Sequence, residues 1–291
     1  MKEQKVTIDA PLNWTLVGTL YEADNPSNGP LVLMSSAAGV PQGYYSNFAR
    51  YLVEEGARAV LTYDYRGMSL SAGDRQRWGE LRMFHWGQLD FPSAAQFLLN
   101  AFPKHVLVGM GHSYGGQALG LSARSDLFAR YATVATMSGY WRDLDTPYSV
   151  WFQTQIIGRF LAGTLGYIPK GLGVGDAMPG TIMKDWIRWI ASPHYWFDDP
   201  DVTGTDQFGD VKLPYLSIRI SDDPWGTDKA VHSFMKWYDQ AQIEHRIVHP
   251  TASGPIGHLG YFRKRHRDEH WHHARDFLLG SSTKNSTVNI A

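Results

Sequence analysis

The sequence contains no cysteine among its 291 residues. This absence excludes disulfide bonds, thiolate metal sites and a cysteine nucleophile. The chain also lacks an excess of charge of either sign, because 27 lysines and arginines stand against 28 aspartates and glutamates, for a formal net charge of −1. A balanced charge gives no reason to expect nucleic acid or an anionic membrane as a partner.

Long apolar runs are absent as well. No segment approaches the roughly 18 apolar residues of a membrane-spanning helix, and the first residues, MKEQKVTIDAPLNW, lack the apolar stretch of a secretory signal. We therefore expect a cytoplasmic protein, although the lack of cysteine is compatible with any compartment. The 11 tryptophans and 15 tyrosines predict an aromatic-walled interior or pocket, with ordinary core packing as the simpler explanation.

Apolar runs alternate with amphipathic segments along most of the chain. Continuous apolar runs are typical of strands buried on both faces of a sheet, and the periodic segments between them predict helices with one core face. Strands that alternate with helices predict an α/β fold, with a mostly parallel central sheet covered by helices on both faces. The buried strands are expected near 31–36, 57–67, 104–110, 131–139, 213–221 and 244–250, and the helices near 37–56, 86–101, 114–125, 227–240 and 264–279.

One stretch, residues 141–212, interrupts this alternation. It contains two helical patterns, near 148–165 and 181–191, and no buried strand pattern. We interpret it as a helical cap inserted between two parts of an α/β core, residues 1–140 and 213–280. The polar tail 281–291 is expected to be disordered. Four tryptophans are expected to cluster in the cap: Trp151, Trp186, Trp189 and Trp196.

A serine stands in a cramped turn directly after one of the expected strands. The run VLVGM ends in GHSYGG, so that Gly111 and Gly115 flank Ser113 at two residues on either side. A strand, then Gly-x-Ser-x-Gly, then a helix is the nucleophile-elbow arrangement, which presents a strained serine at the carboxyl end of the sheet. Larger residues at the flanking positions would collide with neighbouring backbone. A glycine-rich turn that contains a serine by chance is the competing interpretation.

A serine hydroxyl needs a base, and the base needs a carboxylate to orient it. In folds with this elbow the chain order is serine, acid, histidine. SDDPWGT follows a late strand and offers Asp223, or Asp222 as the alternative; the one that is not used is expected to cap or support the turn. The glycine-rich loop IGHLGYF follows the last strand and offers His258.

Other histidines are less suitably placed for this role. His249 lies beside the last strand and His105 begins another. On the final helix a solvated basic face is the simpler interpretation, and no glutamate accompanies the histidines in the H-E-x-x-H order of zincins, so we expect no metal site. These helical histidines are His266, His270, His272 and His273.

Two backbone N–H donors are needed for the tetrahedral intermediate. One is expected from Tyr114, the residue after the nucleophile. The other is expected from the loop after the strand 31–36, at Ala37 with Ala38 as the alternative. Tyr44 and Tyr45 follow and line either the pocket or the core, with the core favoured for Tyr45.

At this point the chain resembles the α/β-hydrolase superfamily. GHSYGG, SDDPWGT and IGHLGYF match its nucleophile, acid and histidine segments, and DYRGMSLS is similar to a stretch that many members carry. AAGVPQGYY, YDYRG and GHLGYFR look like a bacterial group of hydrolases related to the serine aminopeptidase and monoacylglycerol lipase branch. One departure is Ser35-Ser36, where many relatives have His-Gly. Haloalkane dehalogenases and epoxide hydrolases, which use aspartate where Ser113 stands, are disfavoured.

We therefore expect a serine hydrolase that cleaves a carboxylic ester or thioester through an acyl-enzyme. The partner is expected to be a small-molecule acyl substrate with an apolar group, and neither a cofactor nor a metal is needed. An acyltransferase or peptidase would use the same triad. A non-catalytic binding protein of the same fold is the alternative from another class.

Overall fold

The computed structural model, which describes residues 1–25, 28–171 and 175–280, contains an eight-stranded sheet. The strands are β1 Lys2–Ala10, β2 Trp14–Glu22, β3 Leu31–Ser35, β4 Ala59–Tyr63, β5 Leu107–His112, β6 Tyr131–Val134, β9 Pro214–Ile220 and β10 Gln242–Val248; β7 Tyr167–Ile168 and β8 Met178–Pro179 form a separate pair. The spatial order in the sheet is β1-β2-β4-β3-β5-β6-β9-β10. β2 pairs antiparallel with both β1 and β4, and all other neighbours are parallel.

The predicted helical segments form helices, several of them in consecutive pieces. They are α1 Ser46–Glu54, α2 Phe91–Ala101, α3 Tyr114–Leu121, α4 Pro147–Phe152, α5 Arg159–Thr164, α6 Gly180–Ile190, α7 Asp228–Met235 and α9 His272–Leu279. One further short helix, α8 Gly257–Gly260, lies in the stretch expected to be a loop. A short π-helix, Gln153–Gly158, joins α4 to α5, and another, Arg267–Trp271, leads into α9. None of the described helices is long and apolar enough to cross a bilayer.

Alternation along the buried strands divides the core into two layers. In β3, Leu31 and Leu33 point to one face of the sheet, and Val32 and Met34 to the other, because successive side chains of a strand alternate. Side chains of α2, α3 and α7 pack on the first face, and those of α1 and α9 on the second. The predicted mostly parallel sheet with helices on both faces is therefore confirmed.

Residues 141–212 hold α4, α5 and α6, as the periodicity predicts. They also hold the two-residue pair of β7 and β8, in which both residues of β8 are buried, so the expectation of no buried strand is wrong here. Such a short pairing has no alternation to detect in the sequence. Trp189 and Trp196 pack edge to face with ring centroids 5.3 Å apart, whereas Trp151 is 39% exposed. The expected tail, 281–291, lies outside the described residues.

Candidate active site

Ser113 occupies the turn between β5 and α3 with φ 51° and ψ −112°. The glycines two residues before and after Ser113 are needed because backbone atoms of neighbouring segments lie where a side chain would begin. A Cβ on Gly115 would lie 2.1 Å from the Ser35 carbonyl oxygen, and one on Gly111 would lie 2.4 Å from the Gly116 nitrogen. A larger residue at Gly115 would push α3 away from β3, and one at Gly111 would push β5 away from α3. The turn therefore holds the serine at the carboxyl edge of the sheet, where α3 begins.

Three loops at this edge bring Ser113, His258 and Asp223 together. Ser113 follows β5, Asp223 follows β9, and His258 lies on the short helix α8 after β10. His258 Nε2 lies 3.1 Å from Ser113 Oγ, and His258 Nδ1 lies 2.8 Å from Asp223 Oδ2. The serine is 8% exposed, so the group is shielded from most solvent. These distances allow a proton to pass from the serine to the imidazole.

Asp223 is ionised in this environment. Burial by itself raises the pKa of its carboxyl, but the His258 ring and the amides of Gly226 and Trp225 outweigh burial, so that the pKa lies below its ordinary value. The Trp225 amide donates to Asp223 Oδ1 at 2.9 Å. Each carboxylate oxygen thus has a directional partner, which fixes the side chain on the imidazole.

Asp222 performs a different task from the one predicted. Its two oxygens accept the amides of Ile256 and Gly257 at 2.9 and 3.0 Å. These residues directly precede His258, so Asp222 holds the loop that carries the histidine. The expectation that Asp222 caps the turn after β9 is replaced by this longer-range contact.

A buried network that sequence reasoning missed links the two loops on either side of the serine. The Ala37 amide donates to Tyr45 Oη at 2.9 Å, Tyr45 Oη lies 2.8 Å from His112 Nδ1, and His112 Nε2 lies 2.8 Å from the His258 carbonyl oxygen. Because the amide can only donate and the carbonyl can only accept, Tyr45 donates to Nδ1 and Nε2 carries the proton. No signal in the sequence pairs these residues.

His112 is neutral in this network. Burial, followed by the proximity of the His258 ring, lowers the pKa of His112 to about 3. Tyr45 is fully buried in the core, as favoured, but its hydroxyl also makes these polar contacts. Tyr44, the other tyrosine considered for the pocket, donates to the Leu259 carbonyl. It therefore lies beside the histidine loop.

The backbone amides expected to stabilise the oxyanion differ in whether they already have a hydrogen-bond partner. Tyr114 is the first residue of α3, where an amide has no partner within its own helix. The Ala37 amide is instead directed at Tyr45, which is a correction to the expectation that it faces the reacting centre. The Ala38 amide donates to no residue in the described part of the chain. Ala38, the alternative weighed from the sequence, is therefore the better candidate.

The histidines of the last helical segment are also placed differently from the expectation. His266 and His270 are 0% and 4% exposed, so a solvated face is wrong for these two. His272 and His273 are half-buried. None of the four is bonded to Ser113, Asp223 or His258 among the described contacts.

A cavity of about 680 Å³ lies between the helices of residues 150–186 and the turn after Asp223. Trp186 and Trp225 stack in its wall with centroids 5.6 Å apart and an interplanar angle of 18°. The Trp225 ring also lies 6.4 Å from the His258 ring, so one wall of the cavity borders the histidine. The remaining lining is mainly apolar: Val150, Gln153, Thr154, Ile157, Gly158, Leu161, Ile168, Gly171 and Met183.

Residues 31–277 match the model of the alpha/beta hydrolase family, and the chain belongs to that family. The resemblance seen in the sequence is therefore confirmed. No curated protein matches the chain.

Solved structures share the fold at low sequence identity. A soluble variant of monoglyceride lipase from Saccharomyces cerevisiae, in complex with a substrate analog, is 15% identical, with 94% of each chain covered and a TM-score of 0.67. A highly thermostable carboxyl esterase from Bacillus coagulans is 14% identical, with 95% of this chain and 98% of the other covered and a TM-score of 0.67. The alpha/beta hydrolase GrgF from Penicillium sp. sh18 is 17% identical, with 96% of this chain and 98% of the other covered and a TM-score of 0.61.

Proposed function

We propose that the protein is a serine hydrolase that cleaves a carboxylic ester or thioester with Ser113, His258 and Asp223 as its catalytic triad. The observation that carries the proposal is the unbroken contact chain from Ser113 Oγ through both nitrogens of His258 to Asp223 Oδ2, at 3.1 and 2.8 Å. Esterase and lipase are also the names of two proteins that share the fold.

Each residue has a defined part in the reaction. His258 Nε2 takes the proton from Ser113 Oγ as the oxygen attacks the acyl carbon, and then gives it to the departing alcohol or thiol. Asp223 keeps Nδ1 protonated and stabilises the imidazolium that forms. Water, activated by the same imidazole, then hydrolyses the acyl-enzyme and returns the serine.

The negative oxygen of the tetrahedral intermediate requires N–H groups that are not already used. The Tyr114 amide meets this condition at the start of α3, where the helix dipole also favours negative charge. We assign the second donor to Ala38, since the Ala37 amide is bonded to Tyr45. In this assignment Ala37 anchors the loop and its neighbour contacts the substrate.

The acyl or alkyl part of the substrate is proposed to be apolar. A cavity of about 680 Å³ is large enough for a drug-sized group. Its wall is formed by the stacked Trp186 and Trp225, the second of which borders His258. Apolar burial would hold such a group next to the triad without fixing its exact chemistry.

The test is intact-mass analysis after incubation with a fluorophosphonate. We expect one covalent adduct on the wild type, none on Ser113→Ala, and slow labelling of His258→Ala. Ser149→Ala, which changes an exposed serine of α4, is the matched control and should label like the wild type. An ester and thioester panel of increasing acyl length then identifies the substrate class.

Absence of an adduct on folded wild-type protein would contradict the proposal and favour a binding protein. A labelled enzyme that transfers its acyl group to an added alcohol faster than to water would be an acyltransferase.

A further inference from the structure

Two buried histidines near the last helix have nitrogen atoms without partners. His266 and His270 are 0% and 4% exposed. Within the described part of the chain, His266 Nδ1 and His270 Nε2 make no hydrogen bond. Buried polar atoms are normally paired, and an unpaired one points to a water, an ion or a functional role at that place.

Glu269 completes a cluster with these histidines. One ligating atom from each of the three side chains lies within 4.8 Å of the others. The residues are spaced at i, i+3 and i+4, which places them on one side of a helical turn. The sequence HRDEH carries this pattern, but the order is the reverse of the H-E-x-x-H arrangement considered from the sequence.

We propose that His266, Glu269 and His270 bind a divalent transition metal ion, with Zn²⁺ as the best match. Two imidazoles and one carboxylate form a typical zinc ligand set that leaves one position for water. Ligand atoms at about 2.0–2.1 Å from zinc lie about 3.4 Å apart in a tetrahedral site. Atoms that now lie within 4.8 Å of one another therefore have to approach by at most about 1.4 Å when the ion binds.

Arg265 opposes metal binding in the structure as it stands. Its Nε donates to His266 Nε2 at 3.1 Å, and a terminal nitrogen donates to the Pro255 carbonyl at 2.7 Å. A metal at His266 Nε2 would displace this donor directly. A metal at Nδ1 would leave the proton on Nε2, which then could no longer accept. Either way Arg265 must release the ring, so its removal should strengthen binding.

The cluster lies behind the loop that leads to His258. Glu269 accepts a hydrogen bond from Thr251, and Arg265 holds Pro255. Metal binding would therefore act next to two anchors of this loop. The cluster shares no residue with the triad, so the inference does not depend on the proposed function.

The experiment is a Zn²⁺ titration of full-length protein purified without a polyhistidine tag and stripped with a chelator. Competition with a chromophoric chelator gives the affinity and stoichiometry, and the melting temperature with and without Zn²⁺ gives a second readout. We expect one site per chain and a higher melting temperature with the ion. Loss of one ligand should weaken binding by at least about 10- to 100-fold.

Three variants separate this cluster from adventitious binding at other histidines. Glu269→Gln and His270→Gln should weaken binding, and Arg265→Gln should strengthen it. His272→Gln, a half-buried neighbour outside the cluster, is the matched control and should bind like the wild type. The melting temperatures of the metal-free variants report whether each has folded.

Absence of a one-to-one site on the wild type would overturn the proposal. Binding that Glu269→Gln and His270→Gln leave unchanged would also overturn it.

Discussion

The edge of the sheet that carries Ser113 and the wall of the cavity are held together by different forces. Around Ser113, directional hydrogen bonds join Ala37, Tyr45, His112 and the His258 carbonyl into one chain. The cavity is instead bounded mainly by apolar side chains. Hydrogen bonds allow a single arrangement, whereas apolar contacts constrain volume without direction. Under the proposed function, the hydrogen bonds would fix the geometry of the reacting groups, and the cavity would accept acyl groups of different shape.

The largest effect is expected from a change in the hydrogen-bonded group around Ser113. Asp223→Asn should lower kcat by about 10⁴-fold, because an amide favours the wrong tautomer of His258. Asp222→Asn is the matched control. It alters contacts to two backbone amides, not to the ring, and should have a much smaller effect. Equal losses in steady-state assays of the two variants would contradict this division of labour.

The role of the apolar cavity is tested by Trp225→Ala, which removes one of the two stacked rings in the cavity wall. We expect the ratio of kcat/KM for long over short acyl chains to change by about tenfold or more, since each methylene accommodated in an apolar pocket has an effect of this size. Trp237→Ala removes a ring that stacks on Phe197, at 3.9 Å between centroids, outside the cavity lining. This control should leave the chain-length preference unchanged, and a shift as large as that of Trp225→Ala would argue against the cavity as the acyl site.

Tyr45→Phe removes the hydroxyl that connects Ala37 to His112. Loss of the hydroxyl leaves buried polar groups unpaired. If the network positions the loops, kcat should fall by about 10- to 100-fold, because a displacement of reacting groups by about 1 Å can cost about 10²-fold. KM should change little, because the hydroxyl is not part of the cavity. Tyr148→Phe, at a residue 79% exposed, should retain wild-type kcat. Unchanged turnover in folded Tyr45→Phe would show that the network has only a packing role.

The buried carboxyl of Asp64 accepts the Gln42 amide beside the loop that follows β3, and its burial has an energetic cost. Burial raises the pKa of Asp64 from 3.8 to about 6, against the opposing effect of the Gln42 and Leu70 amides. The folded state therefore holds this proton more tightly, and its stabilising contribution is complete below about pH 4 and lost as pH rises to about 6.

Asp64→Asn should remove that dependence. Between pH 4 and pH 7 the wild type should lose up to about 3 kcal/mol of unfolding free energy that the variant does not lose, because the pKa of Asp64 is raised by about two units. Urea titrations at several pH values provide the measurement. Asp206→Asn, at an exposed position, should run parallel to wild type at every pH. If the unfolding free energies of Asp64→Asn and the wild type changed with pH in the same way, the raised pKa of Asp64 would be refuted.

The smallest effect is expected on the outer surface of the segment 147–164. Phe160 is 66% exposed, so Phe160→Gln should change the unfolding free energy by no more than about 0.5 kcal/mol. Val150→Ala truncates a buried side chain of the same segment and should destabilise more. Chemical denaturation of both variants compares them, and a large loss in Phe160→Gln would mean that its ring is buried in solution.

Local patterns in the sequence predict much of this architecture. The buried strands follow from continuous apolar runs, the helices follow from a period of 3.6 residues, and Ser113 is marked by glycines that its own turn requires. Partners of buried polar groups do not follow from such patterns. Tyr45 meets His112 only because α1 packs on the sheet below the end of β5, and the burial of His266 and His270 depends on how the last helix docks.

The order of the strands also has a kinetic consequence. Asp223 and His258 follow β9 and β10, which are synthesised after the other strands of the described sheet, whereas Ser113 is synthesised more than a hundred residues before Asp223. In the proposed mechanism, a nascent chain that has already formed the serine turn is therefore inactive, and Ser113 gains its base and acid only when β9 has paired with β6 and β10 with β9. Pairings over such long sequence separations form slowly. During refolding, reactivity towards the fluorophosphonate should therefore appear later than most of the helical signal.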